Sequence, residues 1–339
     1  MRDPAAKSDL ERGMRFLLRS MLPGTCRPAP GGRILLALVA IAVVAGCSPK
    51  KMAIDMIGDA LAGGGGVYTS DPDPELIREA LPFALKTYEG LLAASPEHQG
   101  LRLATAKGFT AYAFMLSDEA DRMDDPVRAR ALRQRAKGLY LRGRDHALRG
   151  LDASHPGFTA ALRSAEGNPL AGTTPGDAEF LYWAGAAWAG ALSTDKQDFM
   201  LMAELRFAGQ LVQRVVELDD AYDGGSAHQF LVTYEGSRPG GSRDTARVHY
   251  RRALELSAGG RAGLHLALAE AVAVPEQDLA TFRDLIEAAL AVDLDAQPEQ
   301  RVANTIAQRR AHWLLGQIPE LFFDASEASG ATSAGGLGS

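Results

Sequence analysis

Apolar residues recur at steps of three and four along nearly all of residues 75–323, and this periodicity is what most narrows the fold. Leu76, Ile77, Leu81, Leu85, Tyr88 and Leu92 make one such stripe. Leu201, Leu205, Ala208, Leu211, Val212, Val215 and Val216 make a second, and Phe282, Leu285, Ile286, Ala289 and Leu290 a third. That spacing lays each set along one face of a helix with 3.6 residues per turn. Strand signals are nearly absent, with few β-branched runs and no Asn-Gly hairpin cue. Breaks fall at Ser95-Pro96, Asp125-Pro126, His155-Pro156-Gly157, Asn168-Pro169, Thr174-Pro175-Gly176, Gly224-Gly225 and Pro239-Gly240-Gly241, as expected of loop punctuation. The pattern predicts an all-α chain of roughly ten to twelve helices, mostly about 10–20 residues long.

A weak internal repeat runs through these helices. Leu92, Leu148, Val216, Leu254 and Leu290 each sit in a similar small-apolar setting near a helix end, at steps of 56, 68, 38 and 36 residues. The last two steps lie near the ~34-residue period of tetratricopeptide repeats; 68 is about twice that, and 56 reads as one repeat with an insertion. A helical hairpin cannot bury its apolar face alone, so such units stack into an α-solenoid of antiparallel hairpins. An irregular helical bundle with coincidentally similar helix ends is the other reading of this pattern.

The N-terminal segment differs in kind. Seven basic and three acidic residues precede an uncharged apolar run, Ile34 to Ala45, which ends in Val44-Ala45-Gly46-Cys47. A basic region, a short apolar stretch and small residues mark a secretory signal. Twelve helical residues span about 18 Å, short of a hydrocarbon core about 30 Å thick. The Cys47 context resembles the lipobox of bacterial lipoproteins, which implies cleavage before Cys47 and lipid on its sulfur; several acyl chains anchor stably where one is marginal. The expected organisation is a signal at 1–46, a lipidated tether at 47–74, a tetratricopeptide-like domain at 75–323 and a Gly/Ser-rich disordered tail at 324–339. Gly63 to Gly66 and Asp71-Pro72-Asp73-Pro74 argue against regular structure in the tether. Met14 and Met21 are alternative starts.

The whole chain carries net charge −6, and without the signal about −10. That acidity argues against nucleic acid, which needs a basic footprint, and against a polybasic lipid-binding surface. The second cysteine, Cys26, falls within the signal, leaving no disulfide framework, cysteine nucleophile or thiolate metal site. The seven histidines show no metal-binding spacing. Neither a nucleophile elbow nor a phosphate-binding loop is present. No catalytic residue, metal or cofactor is assigned on this reading, and a hydrolase would need an acid–base pair that the pattern does not offer.

Three stretches stand out. In Leu139 to Leu148, Arg142 and His146 are i,i+4 neighbours and Asp145 can pair with Arg142 or Arg149, which reads as a salt-bridged outer face. In Phe180 to Gly190, Tyr182, Trp183 and Trp188 lie among alanines and glycines; the helix is either core or a pocket wall. In Ser226 to Pro239, His228, Val232 and Glu235 share a face with Leu231 and Tyr234 adjoining, and Arg238 either caps the helix C-terminus or contacts an anion. Tyr182, Trp183, Trp188, His228, Tyr234 and Arg238 are the candidate ligand- or partner-binding residues.

The runs Leu139–Leu151, Leu181–Leu192, Ala227–Pro239, Ala246–Ser257 and Ala303–Leu315, in this order and with the Cys47 lipobox, resemble the T component of tetratricopeptide-repeat-associated tripartite ATP-independent periplasmic (TRAP) transporters. The resemblance implies a periplasm-facing lipoprotein of helical repeats that associates with the transporter's solute-binding protein and presents a cavity or pore. It brings no residue-by-residue site with it. A second copy of the chain is a further candidate partner, and a small organic acid or hydrophobic solute the candidate ligand. The other function class is a helical-repeat scaffold lipoprotein in envelope or outer-membrane assembly. Ser48 after Cys47 favours the outer membrane for the anchor.

Overall fold

A computed structural model describes residues 49–164 and 167–323. Cys47, the signal at 1–46 and the tail at 324–339 lie outside the described residues. The described residues from Ala53 onward form one compact unit, which holds the packed helices. Among the described residues the secondary structure is helical throughout, with no strand.

The helices are α1 (Pro49–Gly63), α2 (Gly65–Thr69), α3 (Pro74–Ala94), α4 (Gln99–Asp121), α5 (Pro126–Ser154) and α6 (Phe158–Ser164). Two 3-10 turns lead into α7 (Ala178–Thr194), followed by α8 (Phe199–Ala203), α9 (Leu205–Leu218), α10 (Ser226–Ser237) and α11 (Arg243–Leu256). The last are α12 (Ala262–Leu268), a π segment, α13 (Val274–Glu276), α14 (Leu279–Leu290), α15 (Arg301–Gly316) and α16 (Ile318–Leu321).

Helix starts follow capping chemistry. Asp73 accepts from the backbone N–H groups of Glu75 and Leu76 at 3.0 and 3.1 Å, with Pro74 opening α3. Asp125 does the same for Val127 and Arg128, with Pro126 opening α5. Asp198, Ser242 and Asp278 cap α8, α11 and α14. An Asp side chain satisfies donors that have no intrahelical partner, and Pro at the first position loses nothing because its missing N–H was an orphan. Asp73-Pro74 and Asp125-Pro126 are thus helix starts.

Long helices pack in chain order: α3 on α4, α4 on α5, α5 on α7, α7 on α9, α9 on α10, then α11, α12, α14 and α15. The five repeat marks fall on alternate members, α3, α5, α9, α11 and α14, so the solenoid-like stack consists of the hairpins α3–α4, α5–α7, α9–α10, α11–α12 and α14–α15. The 68-residue step therefore covers one hairpin and not two. Its extra length is α6, α8 and the two 3-10 turns.

Two cores run through the stack. The first gathers residues from α3 to α10, with Trp188, Phe109 and Leu211 fully enclosed. The second runs from α10 to Phe322. Two helices serve both: α10 gives Leu231 to the first and Val232 to the second, while α15 gives Val302 and Ile306 to the first and Ala307, Ala311 and Leu314 to the second. The final hairpin thereby packs back on the start of the stack. Polar contacts follow the same path: Arg301 donates to the Ser70 carbonyl at 2.9 Å, and Arg309 pairs with Glu75. Arg310 holds Glu270 bidentately at 2.8 and 2.7 Å and approaches Asp121 at 3.2 Å and Asp118 at 3.6 Å. Burial alone would lower the Arg310 pKa, but the Glu270, Asp121 and Asp118 carboxylates outweigh it and hold the guanidinium above its usual value. Glu270 lies in the π segment Ala269–Ala273. Pro275 follows four residues after Ala271 and cannot donate to that carbonyl, which accounts for the widened turn.

The segment read as a tether without regular structure contains α1 and α2. Leu61 and Tyr68 pack against the first core. Ser95 Oγ donates to Asp55 at 2.5 Å, and His98 Nε2 lies 3.1 Å from the Asp55 carbonyl. Tertiary packing here outweighs the poor helix propensity of the glycine run, as it does for most short helices.

Small residues set the spacing between α7 and α9. A Cβ on Gly185 would lie 2.9 Å from the Ala208 carbonyl and 2.6 Å from Val212 Cγ2. Gly185→Ala is expected to lower stability by about 1–3 kcal/mol through overpacking. Gly138→Ala on α5, where nothing lies within 4 Å, should raise it by ~0.5–1 kcal/mol. Urea denaturation of the two variants checks the contrast.

Candidate functional site

The six candidate residues separate into three neighbourhoods. Helix α7 turns Tyr182 and Trp183 toward the segment that opens α10, and the longer side of the same helix sends Trp188 into the core.

Tyr182 and Trp183 meet edge to face at 5.3 Å, and Tyr182 lies 5.1 Å from Tyr222. Both α7 residues are half-buried. Tyr222 is carried by a tight turn in which Asp223 takes φ 43° and Gly224 and Gly225 take φ 58° and 92°. Asp223 tolerates the left-handed conformation better than most side chains, and Arg261 holds its carboxylate at 3.0 Å. Burial pushes the Tyr182 hydroxyl up to about 12, with Arg261 opposing and Asp223 adding. This cluster is a neutral aromatic surface with a hydroxyl that donates.

Trp188 is fully enclosed. Its Nε1 donates to Glu204 at 3.0 Å, its ring packs on Phe207, and the Arg144 guanidinium lies 4.9 Å above it. A buried indole whose N–H has found a carboxylate stabilises the wall between α5, α7 and α9.

His228, Tyr234 and Arg238 lie along α10 but have different company. His228 is buried; its Nε2 lies 3.0 Å from Asp220 and its Nδ1 2.8 Å from His249 Nδ1. Asp220 is held in turn by Arg252, and Arg252 with His228 keeps the Asp220 carboxyl below its ordinary range despite partial burial. One imidazole of the pair must donate and the other accept. Tyr234 stacks on Phe230 at 6.0 Å and packs on the backbone at Gly209. Arg238 lies 5.3 Å from the Tyr234 ring and binds Glu235 bidentately at 3.0 and 2.9 Å. Glu235 also accepts from Ser242 N at 3.2 Å. The anion that Arg238 contacts is thus its own neighbour, which raises its pKa, and the ion pair ties the α10 C-terminus to the start of α11.

In the stretch read as a salt-bridged outer face on α5, Arg142 and Arg149 stay exposed but His146 turns inward. His146 is 8% exposed and stacks on Phe109 at 5.9 Å and 8°. Arg142 covers the same Phe109 ring at 4.3 Å and pairs with Glu89 of α3, while Asp145 pairs with Arg144 at 2.8 Å. Gly143 and Ala147 on either side of His146 were the signal, since small residues mark the face on which α4 approaches.

Among the described residues no group of three or more His, Cys, Asp or Glu side chains is placed to hold a metal, and no helix is long and apolar enough to cross a membrane.

A model of the TRAP transporter T-component family matches residues 70–322. A protein of Treponema pallidum (strain Nichols), described as uncharacterized, is 27% identical over 318 residues, covering 85% of this chain and 97% of the relative.

Burial lowers the pKa of His146 to about 4 and also lowers those of His249 and His265; Arg149 adds to the first and His228 to the second. These imidazoles bind protons less readily folded than unfolded. As pH falls below the ordinary value of 6.5 the unfolded chain takes up protons first, so stability is full above that value and declines toward pH 4. His249→Gln is expected to flatten the decline, measured as the urea midpoint at a series of pH values; a parallel decline would exclude His249 as a contributor.

Proposed function

Because the chain belongs to the TRAP transporter T-component family, we propose that it is the lipid-anchored, periplasm-facing accessory of a TRAP-type transporter and that its tetratricopeptide-like stack engages the transporter's solute-binding protein. The observation that carries this reading is the extent of the family match. Residues 70–322 take in every hairpin from α3 to α15, so the resemblance concerns the whole stack and not one helical motif. Stacked hairpins present long surfaces suited to holding another folded protein. Lipid on Cys47 keeps that surface at the outer membrane, outside the cytoplasm.

The aromatic cluster of Tyr182, Trp183 and Tyr222, with the Tyr234–Arg238 corner, is the candidate place for a small organic acid or hydrophobic solute. Half-buried aromatic rings provide apolar area with a polar edge, as ligand pockets and interface anchors do. Trp188 takes part by holding α7 against α5 and α9.

The test is capture of the tagged, lipidated protein from its own cells after mild cross-linking. A TRAP solute-binding protein should be enriched. Trp183→Ala with Arg238→Ala should reduce its recovery on the order of tenfold or more while helicity is kept, because truncating an interface anchor typically costs that much. Enrichment of β-barrel assembly or peptidoglycan proteins without a binding protein would replace this reading with the scaffold one. Cys47→Ser should release the protein from the membrane fraction; unchanged membrane association would refute lipid anchoring at that residue.

A further inference from the structure

Helix α1 carries its polarity inside out. From Ala53 to Gly63 its only charged residues are Asp55 and Asp59. Both are used toward the α3–α4 link: Asp55 accepts from Ser95 Oγ at 2.5 Å, and an Asp59 carboxylate oxygen lies 3.4 Å from His98 Nε2. Gly58 is the buried point of this contact, since a Cβ there would meet His98 Nε2 at 2.5 Å. Ala53, Met56, Ile57 and Ala60 are instead exposed, Met56 by 68% and Ile57 by 51%. Their spacing of i, i+3, i+4 and i+7 lays them along one side of the helix. A helix on the surface of a water-soluble domain normally does the reverse, with its apolar stripe on the core and its charges outward. The exposure of Met56 and Ile57 means that no described helix covers this face.

The place of this face in the chain argues for what covers it. Five residues, Ser48 to Met52, join Cys47 to the compact unit that starts at Ala53. Fully extended, that segment reaches roughly 20 Å at most. Acyl chains on Cys47 would fix its backbone at the headgroup layer, which is about 5–7 Å thick on each side of the hydrocarbon. The unit cannot then stand far from the bilayer. Helix α1 is itself fastened to the stack, through Leu61 in the first core and through Asp55 and Gly58 at the α3–α4 link. Lys50 and Lys51 fall within the joining segment, where an anionic surface attracts cations.

We propose that the outer face of α1 is a second membrane contact, in which Ala53, Met56, Ile57 and Ala60 rest at the headgroup–acyl boundary as an interfacial helix does. The inference rests on the reading of Cys47 as the anchor and adds to it: the stack is seated on the bilayer through α1, with the α3–α4 link behind it, and does not swing on a leash.

The experiment is spin-label accessibility on the full lipidated protein in vesicles of phosphatidylethanolamine and phosphatidylglycerol. Cys47 is acylated in that protein, so one added cysteine carries the label: Met56→Cys, Ile57→Cys or, as the solvent reference, Met200→Cys at a position 82% exposed on α8. Labels at 56 and 57 should collide more often with oxygen than with a water-soluble nickel chelate, and the label at 200 the reverse. The same labels on the unlipidated Cys47→Ser protein in solution should give water-like values at all three positions. Vesicle-bound protein with water-like values at 56 and 57 would overturn the α1 contact and leave the anchor standing. Spin–spin broadening at 56 without a gain in oxygen collisions would assign this face to a second copy of the chain and overturn the proposal as well. Failure of the lipidated protein to float with the vesicles would refute the anchor itself, and the α1 contact with it.

Discussion

Everything in this structure depends on α15 being buried from two sides at once. A helical hairpin has more apolar surface than its own partner helix can cover, so each unit needs a neighbour. A linear stack leaves its two ends short of one. Here Val302 and Ile306 enter the core of the first hairpins while Ala307, Ala311 and Leu314 enter the core of the last. The two ends cover each other. Arg310 sits at that seam between carboxylates of α4 and of the π segment, and Asp118, 4% exposed, depends on Arg310 and Arg122 for its charge balance. An uncompensated buried carboxylate is costly, so the polar contacts at the seam favour this one arrangement.

The same economy shapes the candidate sites. Most charged side chains on the helices are already paired within the chain: Arg252 with Asp220, Lys137 with Asp195 and Asp198. Such groups fasten elements together and have little left for a ligand. The half-buried aromatics around Tyr182 retain more: they offer rings and a hydroxyl.

The sequence carried the fold well and the site poorly, for physical reasons. The stripes on α3, α9 and α14 were legible because burial of one helix face imposes a 3.6-residue period. The repeat marks were legible because each hairpin must present the same kind of face to the next. The helices at Pro49–Gly63 and Gly65–Thr69 were hidden, since Leu61 and Tyr68 reach partners far along the chain and the local glycines argue against them. His146 was read as facing solvent because i,i+4 charges on a helix usually do; only the approach of α4 at Gly143 turns that face inward. Trp188 reads the same from sequence whether it lines a pocket or fills a core, and the partner that decides, Glu204, lies 16 residues away.

The most direct test of the closed stack is hydrogen exchange, read by mass spectrometry, on the chain and its Arg310→Ala variant. If α15 joins the two ends, removing this one side chain will speed exchange in α3 and α4 as well as in α14, α15 and the π segment, because opening the seam exposes both cores together. Faster exchange confined to α14, α15 and the π segment, with α3 and α4 as protected as before, would contradict the closed stack.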